Sequence, residues 1–263
     1  MENSWLKNKN IVIVGGTTGI GLSAAKSFIA EGANLVVIGR NPQSAEAASS
    51  ILKAALIEVG DATIEGTTER AIDRCIHHFG SLDGLYHVAG GSGRKYGDGP
   101  LHEVSLEGWD KTLNLNLTSL MLSNRAAIKH FLEKKSGGTI LNVSSVLGYS
   151  PSPKYFVTHA YAAAKSAVFG FSKSIAAYYA SHNIRVNVLA PALVETPMAQ
   201  RAANDNAILS FIKTKQPLDE GRIGAATDLD GAAIYFMSDY SKFTTGQILS
   251  VDGGWSITEG QYE

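Results

Sequence analysis

The sequence predicts one α/β domain, a doubly wound parallel sheet of about seven strands with helices on both faces. Short apolar runs alternate with segments of helical character along the chain. Such alternation implies right-handed crossovers, which make the strands parallel and cover both faces of the sheet. With 263 residues, 44% of them hydrophobic, and only seven prolines, the chain can bury one large core. No linker or repeat divides it, so the domain is predicted to span residues 1–263.

Strands are predicted where short apolar runs stop at turn residues. The first, at 11–14, consists of β-branched residues that are apolar on both faces, as expected for a strand buried between helices. The remaining predicted strands lie at 33–38, 56–59, 82–88, 139–143, 184–189 and 247–251.

Helices are predicted between these strands, where apolar residues recur at helical spacing or alanine is frequent. The first ends at Gly32 and the longest at the Gly137-Gly138 pair. The predicted helices span about 19–32, 43–54, 67–79, 106–135, 160–181 and 226–237.

A loop with four glycines follows the first strand. Glycine lets the backbone turn tightly and bring amides close to a ligand. The next helix aims unpaired N–H groups at this loop, which attracts a pyrophosphate. The spacing Gly-x-x-x-Gly-x-Gly differs from the commonest dinucleotide fingerprint, and a tight turn that binds nothing is the alternative. The residues predicted to contact a dinucleotide here are Gly15, Thr17, Thr18, Gly19, Ile20 and Gly21.

Residues just after the next strands are candidates for the adenosine end, because ligands bind at the carboxyl ends of such strands. Arg40 follows the second strand and offers a charged fork to a 2′-phosphate, whereas an acidic residue would repel it. NADP is therefore favoured over NAD, and a solvated arginine is the alternative. Asp61, beside Ala62 after the third strand, is a candidate acceptor for the adenine amino group or an ordinary turn aspartate.

Tyr161 and Lys165 lie four residues apart on one face of a predicted helix. A phenol has a reference pKa near ~10, and a fixed positive charge nearby is predicted to lower it. The pair then suits a general acid for carbonyl reduction or a base for alcohol oxidation. This pattern is common by chance, but here it opens the helix after the fifth strand, on the same edge as the glycine loop.

Composition excludes several other classes of function. A net charge of −1 gives no electrostatic case for nucleic acid or an anionic membrane as partner. The amino terminus lacks the apolar core of a signal peptide, and no apolar run is long enough to span a bilayer. The single cysteine, Cys75, excludes an intrachain disulfide, and no metal site is predicted. A cytoplasmic location is expected.

Six motifs in order resemble those of the short-chain dehydrogenase/reductase family, in the branch with 3-oxoacyl-carrier-protein reductases and many small alcohol dehydrogenases. The likeness runs from about Lys9 to Trp255. The matching segments are Gly15-x-x-x-Gly19-Ile20-Gly21, Leu115-Asn116-Leu117, Leu141-Asn142-Val143-Ser144-Ser145, Tyr161-x-x-x-Lys165, Arg185-Val186-Asn187 to Pro191, and Val251-Asp252-Gly253-Gly254.

The resemblance implies roles for the matching residues. Tyr161 would exchange a proton with the substrate oxygen, and Ser145 rather than Ser144 would hold that oxygen. Lys165 would bind the nicotinamide ribose, and Asn116 would anchor a water that relays protons. Cofactor contacts are also implied at Ala89, Gly90, Pro191, Ala192, Val194 and Thr196.

Three departures from the family pattern are visible. Val14 stands where a threonine is usual, and His87-Val88 replaces the usual Asn-Asn. His87 is interpreted as a packed, hydrogen-bonded residue, with a catalytic role as the alternative. The interval between Ser145 and Tyr161 is about three residues longer than usual, which predicts a proline-punctuated loop at 149–156 that overhangs the substrate.

A substrate lid is predicted at about 196–224. Met198, Ile208, Leu209, Phe211 and Ile212 lie near helical spacing, while Arg201, Lys213 and Lys215 are expected to stay in water. A static packed helix is the alternative. Family resemblance also implies a homotetramer, or a dimer, that acts on a small carbonyl or alcohol.

The predicted activity is the NADP(H)-dependent interconversion of a ketone, such as a 3-oxoacyl thioester, and a secondary alcohol. NAD is the alternative cofactor. A sugar, polyol or steroid alcohol is the alternative substrate, since pocket loops differ most within a fold. A nucleotide-binding regulatory protein without turnover is the alternative from another class.

Overall fold

The computed structural model describes residues 4–262, which contain a seven-stranded, all-parallel sheet. The strand order is β3-β2-β1-β4-β5-β6-β7. The strands are β1 (Asn10–Val14), β2 (Asn34–Gly39), β3 (Ala55–Val59), β4 (Gly84–His87), β5 (Gly138–Val143), β6 (Ile184–Pro191) and β7 (Ile248–Val251). The predicted fold class and the position of every predicted strand are confirmed.

Helices cover both faces of this sheet, as the sequence predicts. The α-helices are α1 (Gly19–Ala30), α2 (Pro42–Ile51), α3 (Thr67–Phe79), α4 (Leu106–Leu113), α5 (Ser119–Lys134), α6 (His159–Tyr179), α7 (Gln200–Ala203), α8 (Asn206–Lys215) and α9 (Asp230–Met237). None in the described range is long and apolar enough to cross a membrane.

Alternate residues of the central strands pack into two separate cores. Ile11 and Ile13 of β1 contact α1, α2 and α9 on one face. Val12 and Val14 contact α3, α5 and α6 on the other. Both faces of β1 are therefore dry, which explains why its sequence is a continuous apolar run rather than an alternating one.

Two predicted helices are interrupted. The predicted helix at 106–135 is α4 and α5 joined by a π-helical turn at Asn114–Thr118. Inside that turn the Asn116 side chain donates to the Thr112 carbonyl at 2.9 Å, so a side chain takes the place of a regular backbone donor. The predicted helix at 226–237 begins as a 3₁₀ turn, Ala226–Leu229, before α9.

The chain order reverses between β1 and β4. After β3 the chain returns across β1, so β2 and β4 flank β1 on opposite sides. β4 ends earlier than predicted because the N–H groups of Val88 and Ala89 both donate to the Val14 carbonyl, at 2.8 and 2.9 Å. A crevice forms at such a reversal, at the carboxyl ends of the strands, where ligands of this fold class bind.

Candidate active site

A cleft of about 930 Å³ opens at the carboxyl ends of the strands. It is walled by the segments that follow β1 to β6. Seventeen of the nineteen predicted site residues line it, namely Gly15, Thr17, Thr18, Gly19, Ile20, Arg40, Asp61, Ala62, Ala89, Gly90, Ser145, Tyr161, Lys165, Pro191, Ala192, Val194 and Thr196. The two that do not are Gly21 and Asn116.

The glycine loop brings three backbone segments into contact. Gly15 has φ +86°, and a Cβ there would lie 2.6 Å from the Ala89 nitrogen. A Cβ on Gly21 would lie 2.2 Å from the Gly15 oxygen, so Gly21 packs α1 against the loop instead of facing the cleft. The predicted contact of Gly21 with the dinucleotide is therefore indirect.

The N–H groups left free for a ligand are those at the start of α1, not those of Gly15 and Gly16. The N–H groups of Gly15 and Gly16 donate to the Ile38 carbonyl at 2.9 and 3.1 Å. Thr18, the residue before α1, makes no side-chain cap. The first N–H groups of α1 therefore keep their donors for a ligand, and a diphosphate matches both their geometry and the helix dipole.

Arg40 and Asp61 lie together at the far rim of the cleft. Arg40 Nη1 is 3.7 Å from Asp61 Oδ2, and the other Asp61 oxygen accepts from the Thr63 backbone and hydroxyl at 2.9 and 2.8 Å. Asp61 thus makes the turn that the sequence offered as its alternative role. The Arg40 side chain is 55% exposed, which leaves most of its guanidinium donors in solvent.

Tyr161 and Ser145 both face the cleft from the opposite wall, and the Ser145 hydroxyl is near enough to lower the pKa of the phenol. Ser145 Oγ also accepts from the Leu147 N–H at 3.2 Å. Ser144 points away, because its hydroxyl donates to the Lys165 carbonyl at 2.6 Å. Of the two serines, only Ser145 faces the cleft, as predicted from the motif.

Lys165 lies behind Tyr161 in a buried position. Its ammonium donates to the Val143 carbonyl at 3.0 Å and sits 5.6 Å from the centre of the Tyr161 ring. Burial lowers the pKa of Lys165 to about 8.

The predicted lowering of the Tyr161 pKa is wrong for this arrangement. Burial raises the pKa of the phenol to about 12, and the hydrogen bond with Ser145 offsets only part of that rise. The ammonium of Lys165 lies near the ring of Tyr161, and burial also disfavours its charged form. The desolvation of the phenol therefore has a larger effect on the pKa of Tyr161 than the lysine charge has. At neutral pH the phenol holds its proton.

Asn116 is fully buried beneath the loop that follows β4. Its amide donates to the Gly91 carbonyl at 2.9 Å and accepts from the Gly91 N–H at 3.0 Å. A Cβ on Gly90 would meet Asn116 Oδ1 at 2.8 Å and Lys165 Nζ at 3.4 Å. Asn116 therefore fixes a wall of the cleft next to the lysine rather than lining the cleft.

His87 is a packed residue, in agreement with the interpretation favoured from the sequence. It is fully buried, and its Nε2 donates to the Ala89 carbonyl at 3.0 Å while Nδ1 lies 2.7 Å from the Ser123 hydroxyl. Burial, with a smaller effect of the Lys165 charge, lowers the pKa of His87 to about 3. A neutral imidazole holds the carbonyl of a cleft residue in place.

Asp98 is a site residue that the sequence interpretation missed. It is buried, and its two carboxylate oxygens accept from the N–H groups of Ala160 and Tyr161, each at 2.9 Å. The residue before α6, Thr158, makes no side-chain cap. Capping rules examine only the residues next to a helix start, so a cap 62 residues away in sequence gives no local signal.

The segment predicted as a lid has two different parts. Residues 196–199 and 201–202 line the cleft, and a β-bridge between Val194 and Gly224 ties the base of the segment. In α8, by contrast, Ile208, Phe211 and Ile212 are buried in a cluster with Trp255.

Two basic residues of this segment, both predicted to stay in water, differ in their exposure. Lys215, which the sequence predicts to stay in water, is buried, because its ammonium donates to the Thr258 carbonyl and lies 5.5 Å from the Trp255 ring. Arg201 is exposed, as expected, but it lines the cleft.

The predicted overhanging loop at 149–156 reaches the cleft through Phe156. The preceding residue, Tyr155, packs its ring against Phe211 at 5.3 Å. Its carbonyl accepts from the Nη2 groups of Arg94 and Arg201 at 3.3 and 3.2 Å. Neither Arg94 nor Arg201 belongs to a recognised motif, and the sequence analysis did not place either arginine in the site.

Comparisons with known proteins agree with this geometry. A family model described as enoyl-(acyl carrier protein) reductase matches residues 14–256. The chain is 34% identical over 254 residues to 3-oxoacyl-[acyl-carrier-protein] reductase FabG of Chlamydia trachomatis, covering 95% of this chain and 98% of that protein. It is equally identical, with the same coverage, to 2,5-dichloro-2,5-cyclohexadiene-1,4-diol dehydrogenase of Sphingobium indicum. The solved structure of a short-chain type dehydrogenase/reductase from Mycobacterium ulcerans aligns with a TM-score of 0.88 and 30% identity, over 97% of this chain and 92% of that one.

Removal of the distant cap is expected to loosen the helix that carries Tyr161. Asp98→Ala leaves two buried N–H groups without a charged acceptor, so the free energy of unfolding should fall by about 2–4 kcal/mol. Urea unfolding measures this loss. Asp110→Ala, which removes an exposed acid of α4, serves as control. An equal, small loss in both variants would show that Asp98 does not anchor α6.

Proposed function

Because this chain belongs to the short-chain dehydrogenase/reductase family, whose members are oxidoreductases that use a nicotinamide cofactor, we propose that it interconverts a ketone and a secondary alcohol with NADP(H). The observation that carries the proposal is that Ser145 and Tyr161 line one wall of the cleft together, with Lys165 Nζ 5.6 Å from the Tyr161 ring. These three residues supply what carbonyl reduction needs from a protein: a hydroxyl that orients the oxygen, a proton donor and a cation.

The cleft suits a dinucleotide along its whole length. Free N–H groups at the start of α1 suit a diphosphate, and Arg40 and Asp61 stand where an adenosine would end. The cleft is also lined by the other residues assigned to the cofactor, namely Ala89, Gly90, Pro191, Ala192, Val194 and Thr196. The bound cofactor supplies the hydride.

In this mechanism the substrate oxygen lies between the hydroxyls of Ser145 and Tyr161. We call the side of the cleft formed by Ser145, Tyr161 and Lys165 the catalytic wall. Ser145 donates a hydrogen bond to that oxygen while its own oxygen accepts from the Leu147 N–H. Tyr161 donates the proton that the reduced oxygen requires. Lys165 holds positive charge behind the phenol, and Asn116, next to it across Gly90, is assigned to the relay that returns a proton to Tyr161.

The pKa values favour carbonyl reduction at neutral pH. A phenol with a pKa of about 12 is already the acid that reduction uses, whereas alcohol oxidation needs the phenolate. Oxidation should therefore speed up as pH rises.

The substrate class we favour is a 3-oxoacyl thioester or another small ketone. The Chlamydia trachomatis relative is named for the first of these, and the Sphingobium indicum relative is named as a diol dehydrogenase, which supports the alternative of polyol, sugar or steroid alcohols. A catalytically silent NADP-binding regulatory protein is the second candidate. The presence of Asn116, Ser145, Tyr161 and Lys165 together argues against it, since a protein without turnover has little reason to keep all four.

We also propose an oligomeric state, a cellular location and a mobile lid for this protein. We propose a homotetramer or dimer in the cytoplasm, where a single buried thiol such as Cys75 suits a reducing environment. The proposed lid is narrowed to about 196–204, because residues of that segment line the cleft, whereas no residue of α8 does and α8 is buried against Val146 and Trp255. Slower amide hydrogen exchange at 196–204 but not in α8 on NADPH binding would support this smaller lid, and equal exchange would exclude it.

Replacement of Tyr161 tests the proposed chemistry. Tyr161→Phe should lower kcat/KM for ketone reduction by about 10²–10⁴-fold with the NADPH Kd unchanged, because only the proton donor is lost. In the unaltered protein, kcat/KM for reduction should be flat below about pH 8 and fall above it, as Lys165 loses its charge. NADPH absorbance against a panel of ketones measures both. Tight NADPH binding without turnover of any ketone would favour the regulatory protein.

Replacement of Arg40 tests the cofactor choice. Arg40→Gln removes the charged donors for a 2′-phosphate, so the ratio of kcat/KM with NADPH to that with NADH should fall about 10–100-fold. The matched control is Arg74→Gln, at an exposed arginine of α3 outside the cleft. An unchanged ratio would mean that Arg40 does not select the cofactor.

A further inference from the structure

Two arginines from distant parts of the chain meet at one wall of the cleft. Arg94 follows β4, in the 3₁₀ turn Arg94–Tyr96, and Arg201 lies in α7. Both donate from Nη2 to the same acceptor, the Tyr155 carbonyl, at 3.3 and 3.2 Å. Both line the cleft that also contains Ser145 and Tyr161.

This pair of like charges is not neutralised by the protein. Within residues 4–262, neither guanidinium forms an ion pair with a carboxylate. The charge of Asp98 is near enough to raise the pKa of Arg94, but both carboxylate oxygens of Asp98 accept from N–H groups of α6. Partial burial and the charge of Arg201 lower the pKa of Arg94, a sign that the two cations repel each other.

The pair retains most of its hydrogen-bonding capacity. A guanidinium has five N–H groups in a planar fork, and the Tyr155 carbonyl occupies one nitrogen of each arginine. The exposed Arg201 side chain also contacts an aromatic residue of the cleft, with its guanidinium carbon 5.9 Å from the centre of the Phe156 ring. Two forks held beside one another with free donors match the oxygens of a compact anion.

The position of the pair relates it to the reacting group. Tyr155 and Phe156 directly precede the first turn of α6, which carries Tyr161. Phe156 and Tyr161 line the same cleft as the arginines, which puts the pair on the side of the cleft where α6 begins. The diphosphate of a dinucleotide has its own donors at the start of α1.

We propose that Arg94 and Arg201 bind a compact anionic group of the substrate, a carboxylate or a phosphate, so that the preferred substrates are oxo acids or oxo phosphates. This inference rests on the proposed function. In the reaction bound NADPH would supply the hydride for the carbonyl carbon, and Tyr161 would give its proton to the oxygen and regain one from solvent. The products would be NADP⁺ and the hydroxy acid or hydroxy phosphate. The anionic group is unchanged and serves to position the carbonyl.

The test compares related ketones with and without an anionic group. The pairs are acetoacetate and methyl acetoacetate, 4-oxopentanoate and its methyl ester, and dihydroxyacetone phosphate and dihydroxyacetone. With saturating NADPH, at least one anion should exceed its neutral partner in kcat/KM by about 10–100-fold, mostly through KM. The first two pairs report a carboxylate at two distances from the carbonyl, and the third reports a phosphate.

Variants of the two arginines then locate the preference. Arg94→Gln and Arg201→Gln should each reduce the ratio of kcat/KM for the anion to that for its neutral partner about tenfold, and the double variant should bring this ratio to within about threefold of one. Arg74→Gln should keep the full preference. If thermal unfolding shows that the double variant does not fold, Arg201→Lys replaces it, and loss of the bidentate fork should still weaken the preference.

Each outcome separates this inference from the proposed function. If no ketone is reduced at all, the proposed function fails. If neutral ketones are reduced and no anion is preferred, the function stands and the arginine site is overturned. If the double variant weakens NADPH binding and leaves the preference unchanged, the arginines serve the cofactor phosphates, which also overturns the inference.

Discussion

The contact between the ends of β1 and β4 is the constraint on which the rest of the site depends. The Val14 carbonyl accepts two N–H groups from the segment after β4, and Gly15 lies so close to Ala89 that a side chain has no room. This contact fixes the floor of the cleft at the point where the strand order reverses. The diphosphate end of the cleft and its catalytic end both extend from that floor, one toward β3 and the other toward β6.

Burial without full charge compensation characterises the catalytic wall. The phenol of Tyr161 and the imidazole of His87 are held neutral, and the ammonium of Lys165 is weakened. The carboxylate of Asp98 is buried among N–H groups at the start of α6 and anchors that helix turn. The wall therefore presents a proton donor at neutral pH, which suits reduction better than oxidation. His87 supports this wall indirectly, because its imidazole donates to the carbonyl of Ala89, a residue that lines the cleft.

The sequence predicts the framework of this molecule well and its tertiary electrostatics poorly. Buried strands such as β1 have a continuous apolar pattern, and the motifs that contain Ser145 and Tyr161 are each short stretches of chain, so both can be predicted from the sequence. The cap from Asp98, the meeting of Arg94 with Arg201 and the burial of Lys215 depend on contacts between residues far apart in the chain. The sign of the Tyr161 pKa shift is of the same kind: helical spacing gives the distance to Lys165 but not the exclusion of water.

Specificity is expected to reside in the segments that differ from the family pattern. The longer loop at 149–156 supplies Phe156 and the carbonyl on which two arginines converge, while the shared framework supplies the chemistry. The central claim is that the catalytic hydroxyls lie beside the reactive ring of a bound dinucleotide. A crystal structure of the protein with NADPH tests it most directly. We expect the nicotinamide ring to lie between Pro191 and the wall formed by Ser145 and Tyr161, and the diphosphate to bind at the start of α1. A ring bound elsewhere, with Tyr161 out of its reach, would contradict it.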